Sequence, residues 1–142
     1  MTRRLIGSIA LGITFCFNVF LARAQTPIAL AELQIAFWPE YDRSSMLVIY
    51  RGTLAPSVSL PASLTFTLPA QYGPPMAVAY SDAQGRLLNL PSHTATLGDA
   101  MTISFEVPSA NFQFEYYDTS LDVSSSTRRY AFAAVAAYPI QS

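Results

Sequence analysis

Met101-Thr102-Ile103-Ser104-Phe105-Glu106-Val107, a break at Pro108, and then Phe112-Gln113-Phe114-Glu115-Tyr116-Tyr117 form the stretch that decides the fold. Ile103, Phe105 and Val107 alternate with Thr102, Ser104 and Glu106. Phe112, Phe114 and Tyr116 alternate in the same way with Gln113, Glu115 and Tyr117. Successive side chains of a β-strand point to opposite faces, so a two-residue period gives each segment one apolar and one polar face. Two layers of such strands, apolar faces inward, make a sandwich.

The pattern extends outward from there. Leu64, Phe66 and Leu68 alternate with Ser63, Thr65 and Thr67. Met46-Leu47-Val48-Ile49-Tyr50 and Met76-Ala77-Val78-Ala79-Tyr80 are apolar on both faces, which predicts central positions in their sheets. Pro27, Pro39, Pro56, Pro61, Pro69, Pro74, Pro75, Pro91, Pro108 and Pro139 fall at the ends of these runs, where the missing ladder donor is tolerated. Gly52, Gly73, Gly85 and Gly98 are read as breaks between runs. Ser81-Asp82-Ala83-Gln84-Gly85 suits a hairpin turn, and Leu97-Gly98-Asp99-Ala100 could join a strand near His93–Leu97 to the one starting at Met101.

Strands are expected over Leu33–Trp38, Met46–Arg51, Leu64–Leu68, Met76–Tyr80, Leu87–Leu90, Met101–Val107, Phe112–Tyr117 and Tyr130–Tyr138. The expected fold is all-β: one antiparallel sandwich of about eight strands, immunoglobulin-like or jelly-roll-like. Leu30, Leu33 and Phe37 also fit a helical spacing, and the alanine-rich 131–137 would tolerate a helix; the surroundings favour strand in both. The polar, serine-rich Asp118–Thr127 reads as a mobile loop.

Ahead of the sandwich the chain reads as a targeting segment. Thr2-Arg3-Arg4 precedes an apolar stretch from Leu5 to Leu21, and Ala22-Arg23-Ala24 supplies small residues where a signal peptidase needs them, so cleavage would leave Gln25 first. A stretch of this length could also remain as a single membrane anchor. Cys16 follows Phe15, where lipid attachment calls for a small residue, and reads as an inert apolar side chain. Without residues 1–24 the 142-residue chain retains 118, one ordinary domain, expected in the cell envelope or outside the cell.

That domain, 25–142, has no cysteine, which removes thiolate metal sites and thiol nucleophiles. The whole chain is 51% hydrophobic, so a core can form without disulfides. After the signal, five arginines face nine acidic residues, a net charge of −4, and lysine is absent throughout. Nucleic acid and anionic membranes both demand clustered positive charge, and Arg128-Arg129 alone is too little. Membrane contact is expected only through the N-terminal segment, if it stays uncleaved.

Phe37-Trp38-Pro39-Glu40-Tyr41-Asp42-Arg43 with Met46-Leu47-Val48-Ile49-Tyr50-Arg51-Gly52-Thr53-Leu54 resembles a recurring, uncharacterised exported bacterial β-sandwich module. Ala77-Val78-Ala79-Tyr80 with Gly85-Arg86-Leu87-Leu88-Asn89, and Phe112-Gln113-Phe114-Glu115-Tyr116-Tyr117, add to the likeness, which spans most of residues 25–142. The resemblance implies a sandwich and export. It carries no assigned activity, so it transfers no functional residue. Such modules continue past the last strand, so this chain, stopping at Ser142, would be a short or truncated form.

Catalytic chemistry has little to draw on. His93, the sole histidine, stands in Pro91-Ser92-His93-Thr94 and reads as a partly exposed polar residue. No serine has a nucleophile-elbow frame. Glu40 with Asp42, two apart, or Asp118 with Asp122, four apart, could form a glycosidase-like carboxylate pair if their segments are extended. Asp82, Asp118 and Asp122 could supply oxygen ligands to calcium at one rim, though no calcium-loop spacing is present. No cofactor or metal is expected.

The aromatic residues are the stronger signal. Trp38, Tyr41, Tyr72, Tyr116 and Tyr117 fall near strand ends beside Glu40, Asp42, Arg43 and Asp118. Flat rings next to hydrogen-bonding groups suit sugar faces, although such rings also simply cover core edges. Trp38, Tyr41, Tyr116 and Tyr117 are the candidate ligand-binding residues. The expected function is a non-catalytic binding or interaction module whose partner is a glycan or another envelope protein. A small carboxylate-dependent glycoside hydrolase and an eight-stranded outer-membrane barrel are the alternatives. Frequent prolines and short strands weigh against the barrel.

Overall fold

The computed structural model describes residues 27–134 and 137–141. The segment read as an export signal, with Cys16, lies outside them. Eight strands form two antiparallel sheets: β1 (Leu30–Pro39), β2 (Met46–Leu54), β3 (Ala62–Pro69), β4 (Ala77–Ser81), β5 (Leu87–Asn89), β6 (Ser92–Leu97), β7 (Ala100–Val107) and β8 (Asn111–Asp118). A five-stranded sheet runs β1-β2-β8-β4-β5 and a three-stranded sheet runs β3-β7-β6. The chain is a β-sandwich, and its sheets do not close into a barrel: β1 and β5 bound one sheet, β3 and β6 the other. The barrel alternative therefore loses its structural basis, because an outer-membrane barrel has no free edge.

The pairings nest. β2 pairs with β8, and inside them β3 pairs with β7, the chain crossing between sheets from β2 to β3 and from β7 to β8. β1–β2, β4–β5 and β6–β7 are hairpins of consecutive strands, so the whole is an antiparallel sandwich of five and three strands.

The two-residue period is realised in full where the sequence shows it best. Leu64, Phe66 and Leu68 of β3 and Met101, Ile103, Phe105 and Val107 of β7 are buried, as are Phe112, Phe114 and Tyr116 of β8. Their rings meet across the interface: Phe66 lies 4.8 Å from Phe114 and 6.4 Å from Tyr50, and Tyr50 stacks on Phe114 at 4.7 Å. Burying a side chain of this size contributes roughly 1.5–3 kcal/mol. β2, apolar on both faces, lies inside the five-stranded sheet as expected, second from its edge. β4 is second from its edge, and Met76, expected within it, precedes the strand and is exposed.

Gly52 departs from its expected role as a break. It sits inside β2 opposite Phe112, and a Cβ there would lie 2.2 Å from the ring's Cζ, so the missing side chain makes room for the phenylalanine. β1 is a ten-residue strand, and its helical spacing is not used.

The strand expected over Tyr130–Tyr138 is corrected: the eighth strand is β6, and the described part of that tail is irregular. Its aromatics serve as plugs. Tyr130 and Phe132 pack on Phe37 of β1 at 5.7 and 4.7 Å, and Tyr138 stands edge-on to Phe66 at 5.5 Å. The Tyr138 hydroxyl accepts from the Thr65 N–H and donates to the Thr65 carbonyl on the outer edge of β3. Leu30 then exchanges two backbone bonds with the tail, donating its N–H to Pro139 O and accepting from the Gln141 N–H. The tail thus seals the seam between β1 and β3.

The loop expected over Asp118–Thr127 is also corrected at its start. Asp118 ends β8, is 1% exposed, and accepts hydrogen bonds from Ser120 N–H and the Tyr130 hydroxyl. Leu121 is buried, and Asp122 bridges to Arg129, which folds the segment back on itself.

Candidate functional site

Register assigns every side chain of the five-stranded sheet to a face, because directly paired residues of antiparallel strands point the same way. The outer face carries four rows, the last formed by Glu32, Thr53 and Asn111. Trp38, Leu47 and Tyr117 form the first, Ala36, Ile49, Glu115 and Ala77 the second, and Gln34, Arg51, Gln113 and Ala79 the third. Trp38, Tyr117 and a set of polar side chains therefore share one surface, away from the core.

At one end lies an aromatic platform. Trp38 is 43% exposed and Tyr41 63%, with ring centroids 5.3 Å apart at 53°. Pro39 ends β1, Glu40 adopts a positive φ of 50°, and the Glu40 N–H bonds to Ser45 O, so the turn folds Tyr41 back towards Trp38. Tyr117 stands two strands from Trp38, roughly 10 Å, with buried Leu47 between them.

Charged groups frame the platform. The Tyr117 hydroxyl donates to Asp42 Oδ1 at 2.5 Å, Arg43 Nε bonds the same oxygen at 3.3 Å, and the Arg43 guanidinium covers the Tyr117 ring at 3.9 Å. The Tyr117 hydrogen bond, helped by Arg43, holds the Asp42 carboxyl below its usual range, and the same bond pushes the Tyr117 hydroxyl up. Arg128 grips Glu40 through two bonds, 2.5 and 3.1 Å, and holds that carboxyl low as well.

These carboxylates bear on the hydrolase alternative. A glycosidase keeps one carboxyl protonated by raising its pKa. Glu40 and Asp42 are both exposed, both pulled towards ionisation, and each is engaged by a different partner. Both carboxylates frame the rings as fixed charged groups.

Of the four candidate residues the structure brings Trp38, Tyr41 and Tyr117 to one end of the outer face and takes Tyr116 away. Tyr116 points inward, is 1% exposed, and stacks on Tyr72 at 4.9 Å; burial raises its hydroxyl pKa well above the usual value. The calcium grouping fails too. Asp82 lies beyond the Ser81 end of β4, opposite the Asp118 end of β8, and is bound to Arg86 and to the Gln84 and Arg86 N–H groups. Asp122 is occupied by Ser124. Among the described residues no three His, Cys, Asp or Glu side chains gather where a metal could sit. His93 lies exposed on the edge strand β6, opposite Ser104.

The second half of the outer face was missed by sequence reasoning. A shallow cleft of about 210 Å³ is lined by Glu32, Gln34, Arg51, Thr53, Asn111 and Gln113. Its side chains are linked across strands: Arg51 Nε donates to Gln113 Oε1 at 2.9 Å, Thr53 Oγ1 to Asn111 Oδ1 at 2.9 Å, and Gln34 Nε2 to Glu32 Oε1 at 2.7 Å. The only available signal was that these are the polar positions of three alternating strands, and it required the register to use. Comparisons with protein-family models, curated proteins and solved structures found no match.

Proposed function

We propose that this is a non-catalytic binding module of the cell envelope or extracellular space, and that its ligand is a carbohydrate held on the outer face of the five-stranded sheet. The observation that carries the reading is the side-by-side exposure of Trp38 and Tyr41 in a protein that otherwise turns most of its aromatic rings into the core. Two solvent-facing rings, flanked by fixed carboxylate, guanidinium and hydroxyl groups, match a sugar's apolar C–H face bordered by hydroxyls. Their exposure sacrifices burial, and ligand contact gives that sacrifice a use.

Export rests on the Thr2–Ala24 segment and on the resemblance to exported sandwich modules. N-terminal sequencing of the protein recovered outside the cytoplasm should find Gln25 first.

The binding reading is tested by screening the purified protein on a glycan array. Binding should appear, and Trp38→Ala should weaken it about tenfold, corresponding to a stacking contribution near 1.4 kcal/mol, with no change in melting temperature. An array without signal, or full binding by both Trp38→Ala and Tyr41→Ala, would refute it.

A further inference from the structure

We infer that the cleft around Arg51 is a second subsite of the same ligand surface, so that the ligand is a neutral oligosaccharide lying along the strands from Trp38 to Arg51. This builds on the carbohydrate reading and adds to it a length, a direction and a charge.

Direction follows from register. Leu47, in the row of Trp38 and Tyr117, and Arg51, in the row of Gln34 and Gln113, are four residues apart on one strand, roughly 13 Å. Between them lie Ala36, buried Ile49, Glu115 and Ala77. Ala36 and Ala77 are short, Ile49 is buried and Glu115 is half-buried, and together they separate the platform at one end from the cleft at the other. One sugar unit on Trp38 would leave the cleft empty; a chain of several units reaches it.

Chemistry follows from the lining. The amides of Gln34, Asn111 and Gln113 both donate and accept, Arg51 donates, and Glu32 accepts. Adjacent sugar hydroxyls, each a donor and an acceptor, need such a mixture. The cross-strand bonds already hold Arg51 on Gln113 and Asn111 on Thr53, so less side-chain freedom is lost when a ligand arrives.

Charge follows from the neighbours. Arg51 is the one cation lining the cleft; Glu32 lines it too, and Glu115, within 3.5 Å of Gln113 Nε2, follows on the same face. An anionic sugar would meet two carboxylates for one guanidinium, whereas a neutral one meets a balanced set of partners.

The test is calorimetric titration of the purified protein with cello-, laminari-, xylo- and manno-oligosaccharides of one to six units, with oligogalacturonates alongside. Affinity for the neutral series that binds should rise with length until the chain spans both subsites, then level off. Arg51→Gln and Gln113→Ala should each weaken the longest member about tenfold and leave the shortest unchanged, whereas Trp38→Ala should weaken both. Length-independent affinity, or indifference to both cleft substitutions while Trp38→Ala still abolishes binding, overturns the second subsite and leaves the platform reading standing. Tighter binding of oligogalacturonate than of any neutral chain overturns the neutral ligand. Failure of every probe removes the subsite and the carbohydrate reading together.

Discussion

Tyr116 and Tyr117 are neighbours in sequence and opposites in structure, and the two faces of the five-stranded sheet differ as they do. On the inner face Tyr116 joins Phe114, Tyr50 and Tyr72 in a packed aromatic layer, where a ring's worth is set by the volume it fills. On the outer face Tyr117 is held from its tip by Asp42 and from above by Arg43, where a ring's worth is set by what can still reach it. The same residue type thus does two jobs one position apart because successive side chains of a strand point to opposite faces.

The contrast can be broken most forcefully from inside. Phe114→Ala, at a fully buried position touching both sheets, should cost about 3–5 kcal/mol in urea denaturation. A loss below 1 kcal/mol would mean the inner face is not the core. Gly52→Ala should come next, at about 1–3 kcal/mol, since the added methyl must displace the Phe112 ring that lies over the strand. Any stabilisation would contradict the close approach.

A rise in pH gives a change that starts small and grows. Burial raises the hydroxyl pKa values of Tyr50, Tyr116 and Tyr130, and of Tyr72 with added repulsion from Asp118. Tyrosine in the unfolded chain ionises near pH 10, so the stability gained by keeping these hydroxyls neutral is complete below that value and is lost as pH climbs beyond it. Absorbance titration at 295 nm should show the inward tyrosines ionising only together with unfolding. If all eight tyrosines titrated in one reversible step near pH 10 with the fold intact, the inner ring layer would be open to solvent.

Much of this fold was legible in the sequence, and the reason is visible in particular residues. Phe112, Phe114 and Tyr116 against Gln113, Glu115 and Tyr117 already separated the two faces of β8. Applied to the candidate site, the same alternation would have divided Tyr116 from Tyr117. What stayed hidden depends on distant partners. β6 was signalled only by the turn after it, as the strand near His93–Leu97, because it has no apolar side: Ser92, Thr94 and Thr96 face inward opposite Phe105, Ile103 and Met101 and remain largely solvated. The tail from Tyr130 to Tyr138 reads as a strand from its surroundings, yet its aromatics are partly buried as separate plugs, on Phe37 and on Phe66. The Arg51 cleft exists only once β1, β2 and β8 are in register, and no local pattern announces it.

The tail's last aromatic has one more consequence. The outer margin of β3 offers the N–H and C=O of Thr65, the kind of free pair on which another chain's backbone could dock and propagate a sheet from molecule to molecule. Tyr138 answers both groups with a single phenol oxygen, which can satisfy them and extend no further. A lone side chain thereby brings lateral growth at that site to a stop, a guard against fibre formation made from one hydroxyl.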